Sequence, residues 1–358
     1  MDKFYKYIIE DLDDKLCEIS TFINTIELQT QMLVEVKSID LTQESTFPSL
    51  QALISNYKKL HNSRVYYNAI VISLYACFEN FIDSIASVLI DFYEDNFVTF
   101  DKIPTSIQDK YIKNFGEYLS NPQRYNGIDK NPKEIISKVY KNISNDKNES
   151  LQKEFLLRHG GNMKIDKVEE LFTNLSLKNL KSKILNNDIF KNYISEKESI
   201  EANRVSQYFA NSKEAFILLD KLVDARNSVA HTWDADNRIS NDYILNNVIP
   251  FLHYFCTAIY EVIISYIYES SFDKTFDFFD APIQVINHTI LCINSKKSKL
   301  HIGDYIGFKD SKNNFKIAKI LSLKKDNISE EYIIDENINI GIGLDRRIKN
   351  TYNFYYFK

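Results

Sequence analysis

From Val65 to Ile82 the chain reads Val-Tyr-Tyr-Asn-Ala-Ile-Val-Ile-Ser-Leu-Tyr-Ala-Cys-Phe-Glu-Asn-Phe-Ile, apolar on nearly every side of a helix. A helix with almost no polar stripe has no face to give to water, so it belongs at the centre of a bundle. Its surroundings should also be helical, because the residues that interrupt helices are scarce: 8 Gly and 6 Pro in 358. The same scarcity argues against a β-propeller, a Rossmann fold or any loop-dominated architecture. With 44% hydrophobic and 13% aromatic residues the chain can fill a sizeable core. Its length suits one large domain or two ordinary ones.

The apolar spacing extends this picture. Phe4, Ile8, Ile9, Leu12, Leu16, Ile19, Phe22, Ile23 and Ile26 predict a first helix from residue 3 to about 38. A break is expected at residues 45–48. A helical run follows from 50 to about 96, either unbroken or as two helices meeting near His61. Residues 101–150 hold Pro104, Pro122 and Pro132 and read as short helices joined by polar loops. Gly160-Gly161-Asn162 marks a tight turn, with a short helix from Ile165 to Leu175 after it. Phe209, Phe216, Leu219, Leu222 and Val223 share one face of a helix over 206–230. A last helix over 242–270 closes the bundle. Its run is long and apolar, but His253, Thr257 and Glu261 recur in it at helical spacing, which favours a buried helix over a membrane span.

The character changes near residue 273. Short β-rich stretches at 283–287, 289–293, 304–308, 316–324, 332–334 and 352–357 are separated by turn signals at 312–314 and 341–343. They suggest a small barrel or curled antiparallel sheet. The expected protein is therefore mainly α: a helical domain over 1–272, with its core at 50–268, and a small barrel-like antiparallel β domain over 273–358.

Formal net charge is -5. A protein that coats nucleic acid is strongly basic, so any polynucleotide must be met at a localised patch. Lys296, Lys297 and Lys299, Lys324-Lys325 and Arg346-Arg347 form basic clusters near the aromatics Tyr352 and Phe354 to Phe357. These suit RNA, but equally a solvated surface or a protein-docking face. Cys17, Cys77, Cys256 and Cys292 lie far apart, with no C-x-x-C pair and no His at ligand spacing, so neither a metal nor another cofactor is expected. Most of them sit among apolar neighbours and read as small core residues, which suits a reducing cytosol. The opening Met1-Asp2-Lys3-Phe4-Tyr5 does not read as a secretory signal. A cytoplasmic protein without a membrane partner is expected.

The most compact set of chemical groups is Arg226-Asn227-Ser228-Val229-Ala230-His231. A guanidinium grips phosphate through paired hydrogen bonds, and an imidazole titrates near neutrality and moves protons. RNA carries its own nucleophile, the 2′-hydroxyl, so this chemistry requires no metal. Five residues along a helix is roughly 140° of turn and about 7.5 Å of rise. The two side chains of one helix therefore splay, and two copies face to face would bring both pairs into a shared cleft. The motif on its own is common. Its bland alternative is an Arg in a helix-end salt bridge and a His capping the last carbonyls.

The sequence resembles the HEPN superfamily, whose signature is R-x4-6-H, often with Asn after the Arg: here Arg226, Asn227 and His231. Three further blocks are similar to the RiboL-PSP-type bacterial branch. They are the central helix from Arg64 to Ile82, the segment His159-Gly160-Gly161-Asn162-Met163, and Leu222-Val223-Asp224-Ala225 leading into the motif. The resemblance covers roughly residues 50–268 and excludes 273–358. It implies a dimerising helical bundle with Arg226 and His231 facing the cleft between protomers. It also implies a metal-independent endoribonuclease that leaves a 2′,3′-cyclic phosphate and a 5′-hydroxyl, acting as a toxin or in antiphage defence on tRNA, mRNA or rRNA. By carry-over, Arg226 binds or polarises the scissile phosphate, His231 acts on the 2′-hydroxyl or the leaving oxygen, and Asn227 orients the phosphate or His231. The family often continues AHG, whereas Thr232 follows His231 here.

Other residues support this site or merely pack. Glu79, a carboxylate inside an apolar helix, needs a partner and is expected near Arg226 or its helix, with Tyr75 one turn earlier in the same network or in the core. His159 belongs to a substrate loop or to a simple turn. Trp233 stacks a base or seals the helix end, and His253 reads as a satisfied core histidine. The expected partners are an RNA substrate, a second copy of the chain, and an antitoxin or defence-system protein. The rival reading is a non-catalytic dimerisation or sensor module whose β domain binds a protein. His231-dependent growth arrest on expression separates the two.

Overall fold

The computed structural model describes residues 5–38, 52–53, 55–56, 59, 63–97, 99–125, 128, 131–144, 150–209, 213–232, 238–271, 276–279, 281–295, 299–311, 315–326, 328–333 and 337–357. At 33, 34, 36–38, 231, 232, 276 and 357 only the backbone is described. The breaks expected at 45–48 and at His61, the lysines 296 and 297, and the turn at 312–314 lie outside the described residues.

The helices are α1 (Tyr7–Ser38), α2 (Arg64–Asn96), α3 (Thr105–Ser120), α4 (Pro132–Ile143), α5 (Lys153–Leu157), α6 (Ile165–Asn174), α7 (Leu180–Asn186), α8 (Asp188–Glu198), α9 (Val205–Tyr208), α10 (Ile217–Thr232) and α11 (Asn241–Ser270). The central helix is α2. Ser63 caps it, its hydroxyl accepting the Tyr66 N–H at 3.1 Å, and no Gly or Pro interrupts its 33 residues. Ile70, Val71, Leu74, Phe78, Ile82 and Leu89 are buried along it. α1 packs beside it through Ile8, Leu12, Leu16 and Ile23, with the Phe22 and Tyr66 rings 5.5 Å apart. Phe251 and Phe255 of α11 stack at 5.3 Å and meet Phe190 of α8. Both α2 and α11 are long and apolar enough to cross a bilayer, but 56% and 61% of their most apolar windows are buried in the fold. Their apolarity is accounted for by core packing.

Two parts of the bundle differ from the sequence reading. Residues 176–205, to which the apolar spacing assigned no helix, hold α7 and α8. Asn187 starts α8 by accepting the N–H groups of Ile189 and Phe190, and Leu180, Ile184, Phe190 and Ile194 turn inward. The helix expected over 206–230 is divided: α9 ends at Tyr208, a 3-10 turn spans Glu214–Phe216, and α10 begins at Ile217.

Compactness divides the chain into Lys6–Ala258 and a unit of Ile259–Lys358 with Met1–Tyr5, so the division falls inside α11. Strands begin at β1 (Phe276–Phe278), followed by β2 (Gln284–Ile286), β3 (Ile290–Asn294), β4 (Leu300–His301), β5 (Tyr305–Lys309), β6 (Phe315–Lys325), β7 (Ile328–Glu330), β8 (Tyr332–Ile333), β9 (Asn339–Leu344) and β10 (Asn353–Phe357). All described pairings are antiparallel, in the order β1-β10-β5-β6-β9-β3-β2 with β7 on β6, and β4 pairs β8 separately. β6 makes the curl. Its first half pairs with β5 and its second with β9, and the register shifts between Ile320 and Ser322. An irregularity of that kind bends a strand and raises its twist. The result is a half-barrel over Leu291, Ile306, Phe308, Ile320, Ile342 and Phe354.

Arg346 corrects the sequence reading. It was grouped with Arg347 as a surface basic cluster, but it is buried, as is Glu261 of α11. Its Nη1 donates to Glu261 at 3.2 Å and its Nη2 also bonds that carboxylate. Nε and Nη2 each donate to Asp345 at 2.9 Å. Two carboxylates take four of the five N–H groups of this buried guanidinium, so Arg346 joins helix to loop inside this unit rather than presenting its charge to RNA.

Candidate active site around Arg226

One side of α10 buries Leu218, Leu219, Leu222, Val223 and Val229. Helical geometry then leaves Arg226 and Asn227 half-buried at the edge of that face. The Arg226 Nη1 donates to Asn162 Oδ1 and to Asn227 Oδ1, both at 3.3 Å. Its Cζ stands 4.8 Å from the centre of the Tyr75 ring, a cation–π contact. Nε and Nη2 have no hydrogen-bond partner among the described residues, so two adjacent N–H edges remain for a ligand.

Tyr75 is the hinge of the arrangement. Its hydroxyl donates to Glu79 Oε1 at 2.8 Å and accepts the Met163 N–H at 3.2 Å. Burial, reinforced by Glu79, pushes the phenol up to about 12, so it is a donor near neutral pH. Three distant segments thereby meet at one cation: α2, the loop at 159–163, and α10. The loop depends on Gly161, whose φ of +88° is one that L side chains rarely adopt. The His159 Nδ1 lies 3.2 Å from the Gly161 carbonyl, and Lys164 pairs with Asp224 of α10 at 2.6 Å.

The sequence matches the RiboL-PSP-HEPN family over residues 44–265, more than half of the chain. The chain belongs to this family. HEPN domains are generally ribonucleases, act on RNA and often dimerise. Comparison with curated proteins gives no match. The three sequence blocks that resembled the family are the three segments that converge on Arg226, and the strands lie outside the match.

Within this HEPN domain the expected site residues take distinct places. Arg226, Asn227 and Tyr75 are in contact. Glu79 does not contact Arg226 directly; it bonds the hydroxyl of Tyr75, whose ring lies under Arg226. His231 lies on the last turn of α10, where only the backbone is described, and Trp233 lies outside the described residues. His159 stands in the same loop as Asn162 but lines a different cleft. His253, expected in the core, is 41% exposed at its side chain and pairs with Asp13 at 2.7 Å. Among the described residues no group of three His, Cys, Asp or Glu side chains is placed to hold a metal ion. Asn162 was visible in the sequence only as part of a turn; its role as acceptor for Arg226 follows from a contact between residues 64 positions apart.

Removing the phenolic oxygen tests this network. Tyr75→Phe keeps the ring under Arg226 but strands the buried Met163 N–H, an expected loss of about 1–3 kcal/mol. Chemical denaturation should read that loss. A variant as stable as the parent would show that the hydroxyl does not hold the loop.

Proposed function

We propose that this HEPN protein is a metal-independent endoribonuclease working as a homodimer. The observation that carries the reading is the state of Arg226. Asn162, Asn227 and the Tyr75 ring hold its guanidinium in place and leave two adjacent N–H edges without a protein acceptor among the described residues. A fixed fork of that kind matches two oxygens of a phosphodiester.

In the reaction, the 2′-hydroxyl loses its proton to an imidazole and its oxygen attacks the adjacent phosphorus. The bond to the 5′-oxygen breaks, and that oxygen takes up a proton. Arg226 offsets the charge gathered on the phosphoryl oxygens, and His231 carries the proton. The products are a 2′,3′-cyclic phosphate and a 5′-hydroxyl. Cleavage is expected to persist in EDTA and to vanish on a substrate with 2′-deoxyribose at the scissile position. Chelator-sensitive cleavage or a 5′-phosphate product would refute this mechanism.

The exposed side of α2 supports the dimer. Val65 and Ile72 are 59% and 49% exposed, and the small residues Ala69 and Ala76 lie between and after them on the same strip. By helical geometry this strip adjoins the side that carries Tyr75 and Glu79. A second copy laid along it would bring its own Arg226 and His231 to the same cleft. Ile72→Glu should then yield a monomer by light scattering and a marked loss of cleavage. A monomeric parent with full activity would exclude the shared site. The cellular role follows the same proposal: a cytoplasmic toxin or antiphage effector, restrained by a protein partner, that arrests growth only while His231 is intact.

A further inference from the structure

A second cleft, of about 560 Å³, opens beside the loop that holds Asn162; its lining includes Lys110 and Lys113 of α3, Arg158, His159 and Gly160. That volume suits a ligand the size of one nucleotide. Away from the cleft, α3 is fixed by buried Tyr111 and Tyr118 against Phe155 and Tyr125, so the wall is well anchored. Four of its side chains are cationic: Lys110, Lys113, Arg158 and Lys167. Lys167 is paired with Glu170 at 2.6 Å. Arg158 lies over the Tyr125 ring at 4.0 Å and gives Nη1 to the Arg124 carbonyl at 3.2 Å. Lys110 and Lys113 have no hydrogen bond or ion pair among the described residues. Asp109, Glu117 and Glu170 line the same cleft, with Glu170 taken up by Lys167, so Lys110, Lys113 and Arg158 are the lining cations without a carboxylate partner among the described residues.

We propose that this cleft binds the phosphate group of a nucleotide, with Lys110 as its principal contact and Lys113 and Arg158 beside it. Half-buried Lys110 makes a poor structural residue. Burial lowers its pKa to about 8, against the opposing pull of Glu170 and Asp83. Neither carboxylate reaches it, and the Asp83 Oδ1 is itself buried without a partner among the described residues. An incoming phosphate would supply the acceptors that Lys110 lacks. Gly160 presents bare backbone to the cleft, and a Cβ there would meet no protein atom within 4 Å, so the floor is open to a ligand.

The phosphate has two available sources: a neighbouring nucleotide of an RNA strand whose scissile bond lies at Arg226, which rests on the ribonuclease reading, or a free nucleotide, which does not. Calorimetric titration with 5′-AMP and with a fully 2′-O-methylated RNA hexamer, which cannot be cut by its own hydroxyls, separates them. Lys110→Met should weaken binding of one probe by about tenfold, as expected for one lost charge-assisted contact, with Lys113→Gln giving a smaller loss. A loss confined to the hexamer assigns the cleft to the RNA strand. A loss for AMP assigns it to a free nucleotide. Thermal melting of Lys110→Met should match or exceed the parent, because a dehydrated ammonium is removed. Parental affinity of Lys110→Met for both probes, or no binding of either to the parent, overturns the proposal. Both probes report without cleavage, so an inactive enzyme would leave this result readable.

Discussion

Arg226→Ala and His231→Ala should each lower RNA cleavage by about 10²–10⁴-fold, the range lost with a phosphate-stabilising donor or a proton-transfer group. The fold should survive both changes. Arg226 is half-buried, and its two hydrogen bonds go to neutral amide oxygens rather than to a buried charge. Circular dichroism and melting should therefore remain close to the parent. Lysine at 226 restores charge but not the fork, and only a small part of the activity should return. Asn227→Ala and Asn162→Ala act through Arg226 alone. Each should reduce kcat less than removal of Arg226 and shift no product chemistry. Equal RNA degradation by the purified parent and the Arg226→Ala/His231→Ala double variant would remove the ribonuclease assignment altogether.

The largest effect on stability is expected in the C-terminal unit. Arg346→Leu leaves Glu261 buried without its bidentate partner. Breaking such a pair on one side costs about 3–5 kcal/mol. The reciprocal Glu261→Leu should cost less, because Asp345 still faces the guanidinium with two bonds at 2.9 Å. A double replacement by apolar residues of similar volume should recover part of the loss, since Glu261 is then no longer a buried charge, while Asp345 still loses its bonds to Arg346. Denaturant titration of the four proteins gives the coupling directly. Single variants within about 0.5 kcal/mol of the parent would show that the ion cluster is not a structural joint.

Residues whose role depends on local spacing were legible in the chain. The all-round apolar run at Val65–Ile82 called for a central helix, and α2 is that helix. One local signal misled: residues 341–343, expected as a turn because of their two glycines, lie inside β9, where the alternation of 339–344 gives a strand with one buried face. Arg226, Asn227 and His231 stood out because their chemistry is written in six consecutive positions. Short amphipathic helices were harder. α7 and α8 have too few turns for a period to show, and an Asn cap looks like loop composition until its N–H partners are seen.

The assembly around these residues was not legible. Tyr75 could be core or network, and it is both: its ring is buried under Arg226 while its hydroxyl joins Glu79 to Met163. Arg346 carried the composition of a surface cluster and lies inside. The reason is the same in each case. Helix, strand and motif follow from contacts a few residues apart, which a linear pattern encodes. The setting of a charge depends on which distant carboxylate, ring or amide the folded backbone delivers to it, and that is a matter of packing between segments separated by dozens of residues.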